Sequence, residues 1–147
     1  MQKNIVVFIL TVLIIFLIDQ YIKGIFVTGF DLKGSCIDLT LHYNKGVAFS
    51  MFAFLGESLK WIQLILIISI VIFIFYDGYV QKYPLAIGLI VGGAIGNLYD
   101  RFIREGVVDY VAWHCGFDFA VFNFADVMID FGVGLIILFS ILENRKK

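Results

Sequence analysis

The 147-residue sequence is 61% hydrophobic with a mean hydropathy of +0.97, while charged residues make up only 16% and the net charge is −1. That balance offers no polyanion-binding surface, so no nucleic-acid partner is expected. Little water-soluble material remains once the apolar runs are removed, and one membrane-embedded domain over 1–147 is the simplest organisation.

Apolar runs cover 5–18, 61–76, 85–99 and 127–142, each 14–16 residues long. Spanning hydrocarbon takes about 20 residues, so each run must recruit its polar flanks, which places those flanks at the membrane boundary. The reading is an integral membrane, mainly α protein with four transmembrane helices at about 5–26, 60–77, 84–101 and 125–143. The first run lacks a small-residue cleavage site, and it is read as a retained helix rather than a signal peptide. Nor does Lys33-Gly34-Ser35-Cys36 fit the lipobox of a lipoprotein precursor.

Between the first two helices, residues 37–44 alternate apolar and polar side chains, the pattern of a strand with one covered face. With Gly29, Gly34 and Gly46 around it, the segment 28–50 is expected to form a small sheet or hairpin rather than a loop. An exposed strand edge is excluded from hydrocarbon, so the segment belongs at or above the headgroups. Pro84 opens the third helix, where its missing N–H costs least. Gly88, Gly92 and Gly96 form a small-residue stripe for close helix contact. Gly93, Asn97 and Arg101 share the neighbouring face.

Charge does not orient the chain: five basic residues fall on the side of the termini and six on the other. Cys36 and Cys115 have no metal-ligand spacing and are read as two unrelated thiols in preference to a disulfide. His42 and His114 lack the HExxH spacing of a zinc protease.

Chemistry concentrates in five acids within or against apolar segments: Asp19, Asp100, Asp109, Asp126 and Asp130. A carboxylate at the centre of a membrane helix costs about 2.5–3.5 kcal/mol on insertion scales, so each invites a functional explanation. Asp109 and Asp126 flank one extracytoplasmic stretch and can converge. Two close carboxylates share a proton, one activating water and the other supporting a carbonyl oxygen. Read singly, Asp126 also fits an N-cap of the fourth helix and Asp109 a solvated loop. Asp100 suits a structural bond to backbone or a polar side chain, and Asp19 a brace near the site. Asp130, one turn beyond Asp126, is expected to be protonated or paired.

Five blocks occur in order: Asp19-Gln20-Tyr21-Ile22-Lys23, Asn44-Lys45-Gly46-Val47-Ala48-Phe49-Ser50, Gly92 through Arg101, Val107-Val108-Asp109-Tyr110 and Phe122-Asn123-Phe124-Ala125-Asp126. Together they resemble the lipoprotein signal peptidase (signal peptidase II) family of bacterial aspartyl proteases over nearly the whole chain. The resemblance implies a multi-pass enzyme of the inner membrane with four helices, both termini cytoplasmic, a small extracytoplasmic β-cradle between helices 1 and 2 (about 28–50) and its active site toward the extracytoplasmic face. It implies an aspartic endopeptidase that cleaves diacylglyceryl-prolipoprotein N-terminal to the lipidated Cys, working as a monomer in membrane lipid without a metal or organic cofactor. On the matching positions, Asp109 and Asp126 would be the catalytic dyad. Asn44, Gly46, Asn97, Arg101 and Asn123 would line the substrate site, with Asp19 in support.

Val127, Asp130, Tyr110 and Lys45 depart from the commoner family residues, and Asp130 is placed to alter the pH profile. The segment 49–55 is expected to act as an interfacial lid. A proton-coupled transport subunit would want acids spread through the bilayer, and a purely structural factor would leave the Asp and Asn blocks without a role.

Overall fold

In the computed structural model, residues 2–46, 51–104 and 106–145 are described. Among these residues, five α-helices and two strands follow in chain order: α1 (Gln2–Val27), β1 (Ile37–Asn44), α2 (Ser58–Tyr76), α3 (Tyr79–Lys82), α4 (Pro84–Ile103), β2 (Val107–Trp113) and α5 (Phe124–Asn144). Four of them, α1, α2, α4 and α5, are long and apolar enough to cross a membrane. The shortest of these, α2, has 19 residues and reaches about 28 Å at 1.5 Å per residue. The runs that looked short in sequence thus gain their length from the polar flanks, as with Asn97 to Arg101 at the end of α4.

The central helix is α4, lying against α1 on one side and α5 on the other. Its glycines make this possible. A Cβ on Gly88 would stand 2.6 Å from Thr11 Cβ, and one on Gly92 would stand 3.0 Å from Ile15 Cβ. On the opposite face, a Cβ on Gly93 would meet the Ala125 carbonyl oxygen at 2.6 Å. A glycine row on one face and Gly93 on the other therefore let two helix backbones close on α4 at once. The outward faces of α1, α2 and α5 stay covered with exposed Leu, Ile, Val and Phe, as suits side chains that meet lipid.

At the far end from the termini, β1 and β2 form an antiparallel pair with Ile37 opposite Trp113 and Asn44 opposite Val107. This corrects one expectation, because the cradle is not closed within 28–50. Among the described residues, the local return is a single bridge between Leu32 and Leu39, whereas the main partner arrives from beyond α4. Burial explains the choice: Val108 and Tyr110 pack on Phe26 of α1, with the Tyr110 ring stacked on Phe26 at 4.2 Å.

A second correction follows from the same register. Cys36 and Cys115, expected as separate thiols, are joined by a disulfide. Pairing Ile37 with Trp113 sets the residues just outside the two strands side by side, and His114 N donates to the Cys36 carbonyl oxygen at 2.9 Å.

Candidate active site

Period-two alternation in β2 sends Val108 and Tyr110 toward Phe26, leaving Val107 and Asp109 to line a cleft on the other face. The cleft has a volume of about 320 Å3 and also holds Asn44, Asn97, Arg101, Asp126 and Asp130. Asp126 enters it from the first turn of α5. That helix is capped by Asn123, whose side chain accepts from Asp126 N at 3.0 Å while Asp126 Oδ2 accepts from Asn123 N at 3.1 Å. Asp126 is therefore not the N-cap considered from sequence. It is the third residue of a reciprocal capping box, with its other oxygen free to bond elsewhere. Nor is Asp109 a solvated loop residue, since it lies in a strand and is 3% exposed.

Asparagines hold both carboxylates. Asn123 Nδ2 donates to Asp109 Oδ1 at 2.7 Å, and Asn44 Nδ2 donates to Asp109 Oδ2 at 3.0 Å. Asn97 Nδ2 donates to Asp126 Oδ1 at 2.8 Å. Asn44 is itself oriented by Gly46 N, which donates to its Oδ1 at 3.0 Å, and Arg101 donates to the Gly46 carbonyl oxygen. Asn123 touches both acids, one through its side chain and one through its backbone. Burial, and then the negative charge of Asp126, push Asp109 up to about 6 against the opposing bonds from Asn44 and Asn123.

Behind this layer lies a buried ionic hub centred on Lys23. Its Nζ stands 2.8 Å from Asp19 Oδ2, 2.8 Å from Asp100 Oδ2 and 2.9 Å from Asn97 Oδ1, with all three charged side chains fully buried. An ammonium so placed needs compensation on this scale. The carboxylates also reach outward: Asp19 Oδ1 accepts from Ala125 N at 3.2 Å, and Asp100 Oδ2 accepts from Val108 N at 3.1 Å. Each is the backbone amide directly preceding a cleft carboxylate. Lys23 fixes Asn97 as well, because a flipped amide would turn its NH2 toward the ammonium. Gln20 and Arg104 complete the hub, each bonded to Asp100.

Sequence reasoning treated Lys23 as one more boundary charge and left Gln20 and Arg104 unassigned. The available signal was spacing. Asp19 with Lys23, and Asp100 with Arg104, are opposite charges one helical turn apart on the two helices that the glycine stripe brings together. Asp130 is exposed at the cleft wall. Of the expected lid, Phe49 and Ser50 lie outside the described residues, while Phe52 and Phe54 are exposed beside a short 3-10 turn at Ala53–Leu55. Among the described residues, no group of three or more His, Cys, Asp or Glu gathers closely enough to hold a metal ion.

Comparison with known proteins agrees with this architecture. Residues 11–142 match the family described as signal peptidase (SPase) II. The lipoprotein signal peptidase of Sulfurovum sp. (strain NBC37-1) is 57% identical, the match covering 93% of this chain and 94% of that protein. The lipoprotein signal peptidase of Helicobacter pylori (strain Shi470) is 44% identical over 99% of this chain and 94% of its own length. A bacterial membrane enzyme solved by the in meso method at 2.3 Å resolution superposes with a TM-score of 0.79 at 30% identity, covering 95% of this chain and 90% of that one. Family match, close relatives and shared fold coincide over the same stretch, and the chain belongs to the signal peptidase II family.

Proposed function

We propose that this protein is an aspartic endopeptidase of the bacterial inner membrane that removes the signal peptide from diacylglyceryl-modified prolipoproteins, cutting N-terminal to the lipidated Cys. The observation that carries the reading is the bridge made by Asn123, which binds Asp109 through its side chain and Asp126 through its backbone at one cleft. Two carboxylates held this way share one proton. We assign that proton to Asp109, whose hold on it is strengthened by burial and by the charge of Asp126; in this reading Asp126 is the ionised partner.

In the reaction so inferred, Asp126 takes a proton from water as the water oxygen bonds to the scissile carbonyl carbon. The Asp109 proton is donated toward the carbonyl oxygen, giving a neutral gem-diol. Collapse returns a proton through the dyad to the leaving nitrogen as the C–N bond breaks, and the dyad regains its single shared proton. Arg101, lining the cleft, serves to hold a substrate carbonyl. An apolar signal helix would approach laterally from lipid, with both enzyme termini cytoplasmic and the sheet at the extracytoplasmic face. One chain contributes both acids, so a monomer suffices.

The test is a gel-shift assay with purified diacylated prolipoprotein, comparing the parent enzyme with Asp109→Asn and Asp126→Asn. Loss of cleavage of at least about a thousandfold is expected in each variant. Cleavage retained by either correctly folded variant removes the proposed mechanism.

A further inference from the structure

A second cavity of about 340 Å3 lies on the other side of Arg101, lined among the described residues by Lys45, Lys60, Arg101, Arg104 and one acid, Glu57. We infer that it is a binding site for the phosphodiester headgroup of an anionic phospholipid.

Its depth and chemistry both point that way. The cavity sits where α2 begins and α4 ends, at the sheet end of the two spanning helices, which is the level of lipid headgroups. The cations are already tethered, Lys60 to Glu57, Arg104 to Asp100 and Gln20, and Arg101 to the Gly46 carbonyl oxygen. These contacts fix the cationic heads without exhausting their donors, because each guanidinium has five N–H groups. Arg101 Nε is buried and has no acceptor among the described residues. Behind the cavity, Lys23 and Arg104 together offset Asp19 and Asp100, so that hub is neutral and leaves the charge of Arg101 at the rim uncancelled. The N-terminus of α2, uncapped by any side chain, adds its dipole with the same sign.

The apolar surroundings select a lipid over a free phosphate. Lys60 Nζ stands 5.6 Å from the centre of the Phe102 ring, and Phe102 meets Trp61 edge to face at 5.2 Å. Both rings are exposed, as are Ile65 and Ile103 on the same two helices, which would give acyl chains an apolar surface beside a cationic rim. A zwitterionic headgroup would bring its own ammonium toward four cations, whereas phosphatidylglycerol would not. Arg101 lines both cavities, so the bound phosphate lies one side chain from the dyad.

The site is tested without reference to peptide cleavage, by using full-length protein carrying Asp109→Asn in phosphatidylcholine vesicles. Association of spin-labelled phosphatidylglycerol and of spin-labelled phosphatidylcholine is followed by electron paramagnetic resonance. The anionic label should be preferred, and Lys45→Gln with Lys60→Gln should cut that preference at least about fivefold while leaving the phosphatidylcholine signal unchanged. Glu57→Gln, which removes an acid from the cavity wall, should strengthen it, a gain that a misfolded variant would not give. An unaltered preference in the double-lysine variant overturns the site. Displacement of the label by inorganic phosphate as effective as by unlabelled phosphatidylglycerol overturns the lipid assignment in favour of a small-anion site.

Discussion

Asp109 is more reluctant to ionise in the folded protein than in the unfolded chain, because burial and the charge of Asp126 outweigh the bonds from Asn44 and Asn123. Folding is therefore favoured by this group most fully below pH 4. That contribution, about 3 kcal/mol, is withdrawn as the pH rises from 3.8 to about 6. Activity should follow the same proton. With the dyad working in its singly protonated form, kcat/KM of the free enzyme is expected to fall with a midpoint near pH 6, as Asp109 loses its proton. A profile flat from pH 5 to 8 would count against Asp109 as the proton carrier. Asp130 bears on the same limb, since its carboxylate lies in the cleft wall one turn from Asp126. Asp130→Asn should displace the limb toward lower pH by removing a negative charge that helps hold the shared proton. Lys23 acts at another level, where its loss leaves Asp19 and Asp100 buried without their common cation. Lys23→Met should lower stability by about 3–5 kcal/mol, read as a reduced melting temperature in detergent.

Among the elements, the glycines of α4 separate close contact from mere flexibility. A methyl group at Gly88 would lie 2.6 Å from Thr11 Cβ and 3.1 Å from the Phe8 carbonyl oxygen, so α1 must move away. Gly88→Ala is expected to cost about 1–3 kcal/mol by thermal unfolding, whereas Gly134→Ala, where nothing lies within 4 Å, should be neutral or slightly stabilising. These helices were legible in the sequence because lipid demands long apolar runs, and the glycine period of four was visible within one of them. That Asp109 and Asp126 meet at one cleft was legible because carboxylates beside such runs are costly and few. The strand Val107–Trp113 was not found, although Val107, Val108, Tyr110 and Val111 carry the β-branched and aromatic character of one. Its partner lies across two spanning helices, and period alone does not reveal pairing at that separation. The same long-range register hid the disulfide, because Cys36 and Cys115 become neighbours only once Ile37 faces Trp113. Lys23 escaped for a different reason. A lysine near a helix end ordinarily reaches for water, and only the close approach of α4 turns this one inward to Asp100.

For the whole molecule, the decisive question is which side of the membrane receives the sheet, since the five and six basic residues of the two sides do not choose. The chain contains its own reporter. Its two cysteines are both in the disulfide at the sheet end, and the four spanning helices put both termini at the opposite end. If the cleft faces outward, as access to exported prolipoproteins requires, the bond belongs to an oxidising compartment. Spheroplasts exposed to a membrane-impermeant maleimide should then show no labelling of the parent protein. Brief reduction with a membrane-impermeant phosphine should release both thiols and allow labelling from outside. A tag on either terminus should stay protected from added protease in the same preparation. Labelling that requires lysis, with the termini accessible, would invert the molecule and leave the proposed substrate unable to reach Asp109 and Asp126. The sheet end has to be outside for the rest of the chemistry to be usable, and this measurement decides that independently of any catalytic assay.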